Sequence, residues 1–298
     1  MLNLIDVSSH QKGLNVSNVS GDGVIVKATE GVSYVNPLLT SQVAQTLNSG
    51  KVLGLYHYAK GKNGASQEAK HFLNYAVKYI GEVPFFLDFE EPSMFSASGV
   101  AWAKQWLDYV DKSTGIKPMI YMNLNFENNL NWDSVVLGNY GLWIAQYNKS
   151  KHVSGFTIRN LSGNLRHWPA SAMFQYTNVG RLNGWGANLD LDVFYGDRKA
   201  WNAYGCPQGT HKDSNEWHRI NGVFVIGHGQ SINLRTAPAV TSYIIATLRS
   251  GAKISYDAWS ITGGYLWIRQ HRKNGGYGYL ATGKHDGRKR ESLWGSGI

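Results

Sequence analysis

Two acidic residues two positions apart, Asp88 and Glu90, have the types and spacing best suited to acid–base chemistry. They follow the apolar run 85–87, which predicts a buried strand. Residues i and i+2 of a strand point to the same face, so the two carboxyl groups are expected to lie side by side. Repulsion between them favours the protonated form of one, and a protonated acid beside a carboxylate is the pair that glycoside hydrolysis uses. Taken alone, the pair fits a solvated acidic strand end equally well.

Further acids occur in the first and last predicted strands. Asp6 follows the run Leu2–Ile5, and Asp190 lies in the apolar segment 188–194. If the strands form a closed barrel, the first and last are neighbours, and these two acids are expected to meet at its mouth. Asp192 shares the face of Asp190 if that strand is regular.

Short apolar runs alternate with helical patterns over the first 205 residues. Helices are predicted from Asn36, as the N-cap, to Gly50, and over about 66–80 and 99–112. The predicted strands are 2–5, 24–26, 52–58, 83–87, 119–121, 142–146, 173–176 and the segment containing Asp190.

Alternation of strands and helices predicts an α/β fold, and about eight strands predict an irregular TIM-like (β/α) barrel. Helices are sparse between the later runs, so the second half is expected to be the irregular one. The carboxyl ends of barrel strands meet at one mouth, where active sites lie. Tyr121 and Gln175, like the acids, come at the ends of apolar runs. His57, on the opposite strand face from Tyr56 and Tyr58, is expected to be structural.

A polar stretch containing Gly and Pro, residues 206–216, predicts a linker between a domain over 1–205 and a module over 217–298. Residues 206–298 carry 12 Lys/Arg against 5 Asp/Glu, so most of the net charge of +9 belongs to this C-terminal third of the chain. The short runs of the module between Gly-rich turns predict a small all-β barrel, with strands at 222–226, 232–235, 244–248, 253–256, 265–270 and 278–281.

Seven motifs occur along the first 200 residues: IDVSSHQ at 5–11, VKATEG at 26–31, GLYHY at 54–58, LDFE at 87–90, LWIAQY at 142–147, FQY at 174–176 and LDLDVF at 189–194. In sequence and in order they resemble glycoside hydrolase family 25, the lysozymes that cleave between N-acetylmuramic acid and N-acetylglucosamine. The last motif usually has Asn where this chain has Asp192.

The resemblance implies a catalytic set. Glu90 maps to the general acid, kept protonated by neighbouring carboxylates, and Asp88 maps to the residue that positions the acetamido group or directs a water. Asp6 and Asp190 map to the acids of the first and last strands. Aromatic and amide side chains are expected to bind the sugars, although each ring is equally compatible with core packing: Tyr56, Tyr58, Tyr121, Trp143 and Gln175. Lys27 and Glu30 are expected to form an ion pair near the mouth.

The module contains the segments INLRTAP at 232–238, YLWIR at 265–269 and GYLATG at 278–283. With these segments it resembles the bacterial SH3-like domains that follow cell-wall hydrolases. This resemblance implies binding to the wall, with Trp267 and Tyr279 as either core residues or ligand platforms. A basic β-barrel with a cluster such as Arg288-Lys289-Arg290 is also compatible with nucleic-acid binding.

The expected protein is therefore a wall muramidase of the phage endolysin type, with bacterial peptidoglycan as partner, no cofactor and no metal. It is expected to be a monomer that neither binds nucleic acid nor inserts into a membrane. No leader precedes the first strand, which predicts synthesis in the host cytoplasm and release to the wall through a holin pore. The single cysteine excludes an intrachain disulfide. A non-catalytic wall-binding protein and a chitin-active enzyme remain alternatives.

Overall fold

A computed structural model of the chain describes residues 1–147, 152–206, 217–273, 275–286 and 290–297. Its first sheet closes on itself into the predicted barrel. The strands of this sheet are β1 (Leu2–Val7), β2 (Gly23–Glu30), β3 (Tyr34–Val35), β4 (Val52–Tyr58), β5 (Phe85–Asp88), β6 (Met119–Asn123), β7 (Leu142–Ala145), β8 (Val153–Ser154), β9 (Met173–Arg181) and β10 (Leu189–Phe194).

Eight strands form the closed circuit, in the order β1-β10-β9-β7-β6-β5-β4-β2 and back to β1. β10 runs antiparallel to both of its neighbours, whereas the other pairs in the circuit are parallel. The short strands β3 and β8 pair with β2 and β9 outside the circuit, and sequence inspection did not predict them. The prediction of a barrel with an irregular second half is confirmed.

The α-helices of this part, in chain order, are α1 (Leu39–Asn48), α2 (Ala65–Ala76), α3 (Ala97–Thr114), α4 (Leu124–Asn129), α5 (Asp133–Leu137) and α6 (Arg198–Gly205). The predicted start of α1 is wrong by two residues, because its N-cap is Leu38. Asn36 is buried instead: its side chain donates to Lys27 O and accepts from Leu38 N, which forms a turn ahead of the helix.

Large apolar side chains fill the interior of the barrel below its mouth. Leu4, Ile25, Phe86, Trp143 and Trp201 all belong to this core and expose at most 2% of their surface. The first four come from the strands β1, β2, β5 and β7, where alternate residues share one face and supply a continuous core, and Trp201 comes from helix α6. This layer supports the polar residues that follow along the same strand faces.

The second sheet contains only antiparallel strand pairs, in agreement with the all-β module that the sequence predicts. Its strands are β11 (His218–Ile226), β12 (Ser231–Arg235), β13 (Ile244–Arg249), β14 (Lys253–Thr262), β15 (Tyr265–His271), β16 (Tyr277–Lys284) and β17 (Gly295–Gly297), in the order β13-β12-β16-β15-β14-β11-β17. β17 is an additional strand, since its Gly-Ser-Gly sequence carries no apolar pattern. Trp267 belongs to the core, with 1% of its surface exposed, whereas Tyr279 is half-buried.

Residues 207–216 of the predicted linker, and Arg288 and Lys289 of the basic cluster, lie outside the described residues. The described residues form two compact units, one built mainly from the barrel and the other from Cys206 and the described part of 217–297 together with Leu73–Glu82 and Lys112–Ile116. Across the described part of the chain, each helix is too short or too polar to cross a membrane.

Candidate active site

Polar side chains at one end of the barrel surround a cavity of about 200 Å³. All nine residues that the sequence predicts for the site line it. The full lining is Asp6, Ser8, His10, Gln11, Lys27, Tyr56, Tyr58, Asp88, Glu90, Tyr121, Trp143, Tyr147, Gln175 and Asp190.

The four predicted acids reach the cavity from three places in the barrel. Asp6 near the end of β1 and Asp190 near the start of β10 are direct strand partners. Because β10 is antiparallel, its amino end lies at the same mouth as the carboxyl end of β1. Asp88 ends β5, and Glu90 follows two residues later. Asp6 and Asp88 expose only 9% and 8% of their surface.

Burial is the main cause of the raised pKa values of Asp88 and Glu90. It raises the pKa of Asp88 well above the usual range, and the charge of Glu90 raises it further while Lys27 opposes the rise. Burial also raises the pKa of Glu90, against hydrogen bonding from Tyr121 and the charge of Lys27. The predicted cause for Glu90, repulsion by neighbouring carboxylates, is therefore secondary to desolvation.

The Asp6–Asp190 pair is perturbed in the same way. Burial raises the pKa of Asp6 to about 6, although hydrogen bonds from Gln175 and Asp192 lower it and Glu90 raises it. The pKa of Asp190 is raised well above its usual value, first by burial and then by Asp6 and Glu90. The cavity therefore holds several carboxyl groups that keep protons at a pH where exposed acids lose them.

A chain of hydrogen bonds holds Asp6. The Gln175 amide donates from Nε2 to Asp6 Oδ2 at 2.6 Å. Its Oε1 accepts from the hydroxyl groups of Tyr121, at 2.8 Å, and of Tyr147. Gln175 thus lies inside this network, with 3% of its surface exposed, and it orients a carboxyl group as well as lining the cavity.

Tyr147 is a cavity residue that the prediction omitted, as are Ser8, His10, Gln11 and Lys27. Tyr147 follows β7 and closes the motif at 142–147, so its place in that motif was the available signal. Its side chain is partly buried, and its hydroxyl lies 3.1 Å from that of Tyr121.

The aromatic residues predicted to bind sugars differ in exposure. Tyr56, Tyr121 and Trp143 expose 7%, 5% and 2% of their surface, so they form the floor of the cavity. Tyr58 is half-buried and lies higher, with the Lys27 ammonium 4.5 Å from the centre of its ring. Of these rings, Tyr58 offers a substrate the largest accessible surface.

A cationic side chain stands beside the acids. Lys27 Nζ lies 2.7 Å from Glu30 Oε2, which is the ion pair expected from the sequence, and Lys27 also lines the cavity. His57 faces away from the mouth and is fully buried, bonded to Thr29 at 2.8 Å and Glu68 at 3.0 Å. Its position is that of a structural histidine, as predicted.

Asp192 lies below the cavity lining and is fully buried. Its Oδ1 accepts a hydrogen bond of 2.8 Å from Trp143 Nε1. Of the two acids in β10, Asp190 is the one that lines the cavity.

The second unit carries a cluster of rings around one guanidinium. Arg269 lies over Tyr277, at 4.3 Å from the ring centre, and over Trp217, at 5.2 Å. It also donates to Asp257 at 3.0 Å. Tyr279 packs beside Trp217, with ring centres 5.4 Å apart.

An acid-lined cavity at the mouth of a closed α/β barrel is the arrangement of a glycoside hydrolase. The model of Glycosyl hydrolases family 25 matches residues 5–185, and the chain belongs to this family. The Bacterial SH3 domain model matches residues 218–282.

Similar proteins include an N,O-diacetylmuramidase of Chalaropsis sp, 34% identical over 135 residues that cover 40% of this chain and 64% of that protein. The lysozyme of Streptococcus phage Cp-7 is 26% identical over 177 residues, which cover 56% of this chain and 46% of the phage protein. The crystal structure of the bacterial lysozyme from Streptomyces coelicolor shares the fold, with a TM-score of 0.57 and 21% identity over 68% of this chain and 96% of that one.

Proposed function

We propose that this chain is a peptidoglycan muramidase that hydrolyses the β-1,4 bond between N-acetylmuramic acid and N-acetylglucosamine. The observation that carries the proposal is the meeting of four acids, from β1, β10 and the end of β5, in one cavity of a family 25 barrel. A muramidase and a phage lysozyme among the relatives support the choice of substrate.

Glu90 is the proposed general acid. Burial raises its pKa, so the carboxyl group keeps its proton until the substrate is bound and donates it to the glycosidic oxygen. Positive charge then develops on the sugar ring. That charge favours the ionised form of the buried carboxyl groups around it, so their attraction is stronger in the transition state than in the ground state.

Asp88 is the proposed partner of Glu90. It either positions the acetamido oxygen of the substrate for attack or directs a water to the same carbon. The two roles predict opposite stereochemistry, retention for the first and direct inversion for the second. Proton NMR of the fresh product would distinguish them by the anomer that appears first.

The test of the general acid is Glu90→Gln, with Glu91→Gln as the matched control. Glu91 is adjacent but pairs with Lys60 at 2.6 Å and does not line the cavity. On purified walls, Glu90→Gln is expected to lower turnover by about 10²- to 10⁴-fold. Glu91→Gln is expected to retain clearing in a zymogram. Undiminished hydrolysis by a folded Glu90→Gln protein would remove Glu90 from this role.

The second unit is proposed to hold the enzyme on the wall. Its match to the bacterial SH3 model and its basic charge support this role. The Glu90→Gln chain permits a binding test because it should not digest its ligand. We expect it to sediment with purified walls at physiological salt, and excess DNA or RNA should not displace it. Displacement by nucleic acid would favour the alternative ligand.

The similarity to a phage lysozyme supports an endolysin role, with synthesis in the host cytoplasm, release through a holin pore and action as a monomer. Expression in a susceptible host is then expected to cause lysis only when a holin is co-expressed. Lysis by the chain alone would contradict this route. Light scattering of the purified protein should give the mass of one chain, 33.1 kDa.

A further inference from the structure

Among the described residues of the barrel unit, three carboxylic acids are fully buried: Glu68, Glu127 and Asp192. A buried carboxylate needs donors around its oxygens, because nothing else replaces the water it has lost. The three residues differ in how this requirement is met.

Glu127 and Glu68 have donors at both oxygens. Glu127 accepts backbone N–H bonds from Arg166 at 2.9 and 3.0 Å and from His167 at 2.7 Å. Glu68 accepts from the backbone of Lys60 at 3.1 Å on one oxygen and of Gly61 at 3.0 Å on the other. Such surroundings suit an acceptor with a negative charge.

Asp192 has a donor at one oxygen only. Its Oδ1 accepts a hydrogen bond from Trp143, whereas its Oδ2 is buried and accepts none from the described residues. An oxygen that carries a proton would instead need an acceptor. The carboxyl group of Asp6 is the acceptor that interacts with the Asp192 side chain. Asp192 is the strand partner of Leu4 on β1 and of Gln175 on β9. Asp6 lies two residues from Leu4, on the same strand face.

The groups that face Asp192 from the neighbouring strands favour a neutral acid. Asp6 on β1 and Asp190 on β10 both repel its charge, adding to the effect of burial, and its pKa is raised well above the usual range. Trp143 on β7 opposes this with its single hydrogen bond. On β9, the phenol of Tyr176 is a titratable group whose own pKa is raised first by burial and then by Asp192.

We propose that Asp192 is a neutral carboxylic acid in the folded protein, and that its Oδ2 hydroxyl donates a hydrogen bond to the Asp6 carboxylate. Asp192 is then a positioning residue. It holds Asp6 from below while Gln175 holds it from the side through Nε2. The pair of Asp6 and Asp192 then carries one negative charge, rather than two, at the bottom of the cavity. The catalytic consequence rests on the proposed muramidase function, whereas the protonation state does not.

An asparagine at this position would supply the same two contacts. Its Oδ1 would accept from Trp143 and its Nδ2 would donate to Asp6, in nearly the same volume. Alanine would supply neither and would leave Trp143 Nε1 and one side of Asp6 without partners. Both substitutions remove the ionisable group, but only alanine also removes the hydrogen bonds. Comparing the two variants therefore separates the effect of the hydrogen bonds from the effect of the charge.

Infrared difference spectroscopy tests the protonation state directly. The spectrum of wild type minus Asp192→Asn, recorded on the full chain at about pH 8, is expected to contain the carbonyl band of a protonated acid. Wild type minus Glu127→Gln is the matched control and is expected to contain carboxylate bands. A carboxylate band alone in the Asp192→Asn difference would overturn the proposal.

Kinetics on purified walls test the positioning role. Asp192→Ala is expected to lower kcat by about tenfold or more, because Asp6 loses a donor in a buried site. Asp192→Asn is expected to restore kcat to within about threefold of wild type and to leave the acidic limb of the kcat/KM profile in place. A shifted limb in Asp192→Asn would mean that the wild-type residue is charged. If the muramidase assignment failed, the infrared result would still stand.

Discussion

Raising the pH from 4 to 7 is expected to destabilise the barrel through Asp6. Its pKa in the folded protein is about 6, against a usual value of 3.8. Below about pH 4 the side chain is protonated in both the folded and the unfolded chain. Between the two values the folded state binds more protons, so the free energy of unfolding falls as the pH rises, and the fall is complete above about pH 6.

The magnitude follows from those two values. One pKa unit corresponds to about 1.4 kcal/mol, so the ionisation of buried Asp6 lowers the free energy of unfolding by about 3 kcal/mol. Asp6→Asn removes this contribution while keeping an oxygen that can accept from Gln175. The variant should therefore gain about 3 kcal/mol over wild type between pH 4 and pH 7, and it should lose activity.

Hydrogen exchange of the β1 and β10 amides reports on this unit separately from the rest of the chain. Wild type and variant are compared at the same pH, so the intrinsic exchange rates cancel. At pH 7 the Asp6→Asn barrel is expected to show about 10²-fold greater protection, and at pH 4 no difference. Asp133→Asn, a change of an exposed acid in α5, is the control. Equal protection of Asp6→Asn and wild type at pH 7 would refute the reasoning.

Three other predictions concern single residues. Glu127→Ala should lower the free energy of unfolding by about 3 kcal/mol in a denaturant titration, because several buried N–H donors lose their acceptor; a change under about 1 kcal/mol would contradict the burial argument. Tyr121→Phe should raise the pKa of Glu90, since its hydroxyl opposes the rise, and should move the basic limb of kcat to higher pH; a shift to lower pH would count against it. Gly23→Ala should lower the free energy of unfolding by about 1–3 kcal/mol, because an added Cβ would lie 2.2 Å from Val52 Cγ2. An unchanged thermal unfolding temperature would contradict this prediction, because it would mean that β2 and β4 can move apart without cost.

Sequence periodicity was enough to predict most of the barrel. Val52–Tyr58 was predicted with the bounds that β4 has, because its alternating residues supply both the core and the mouth. The acids were found by the same logic, since each directly follows or interrupts an apolar run. The family motifs then joined residues 6, 88, 90 and 190, which lie far apart in the chain.

Features that depend on three-dimensional neighbours could not be predicted. The antiparallel direction of β10 follows from its hairpin with β9, and no residue of β10 encodes it alone. Asn36 has the composition of a helix cap, but tertiary bonds to Lys27 and Gln42 outweigh that local preference. β17 is too short and too glycine-rich to give a periodic signal, so its pairing with β11 is visible only in the structure.

The same limit applies to the inner part of the site. The buried position of Asp192 could not be predicted, because its hydrogen-bond partner Trp143 lies 49 positions away in the chain. The primary cause of the raised pKa values is likewise burial, which a one-dimensional pattern of acids does not measure.

The central claim is that Glu90 protonates the bond that follows a muramic acid residue. Mass spectrometry of the fragments released from purified peptidoglycan, after borohydride reduction, tests it most directly. Wild type should release fragments that end in reduced N-acetylmuramic acid, and folded Glu90→Gln should release almost none. Fragments ending in reduced N-acetylglucosamine, or the same yield from both proteins, would contradict the account.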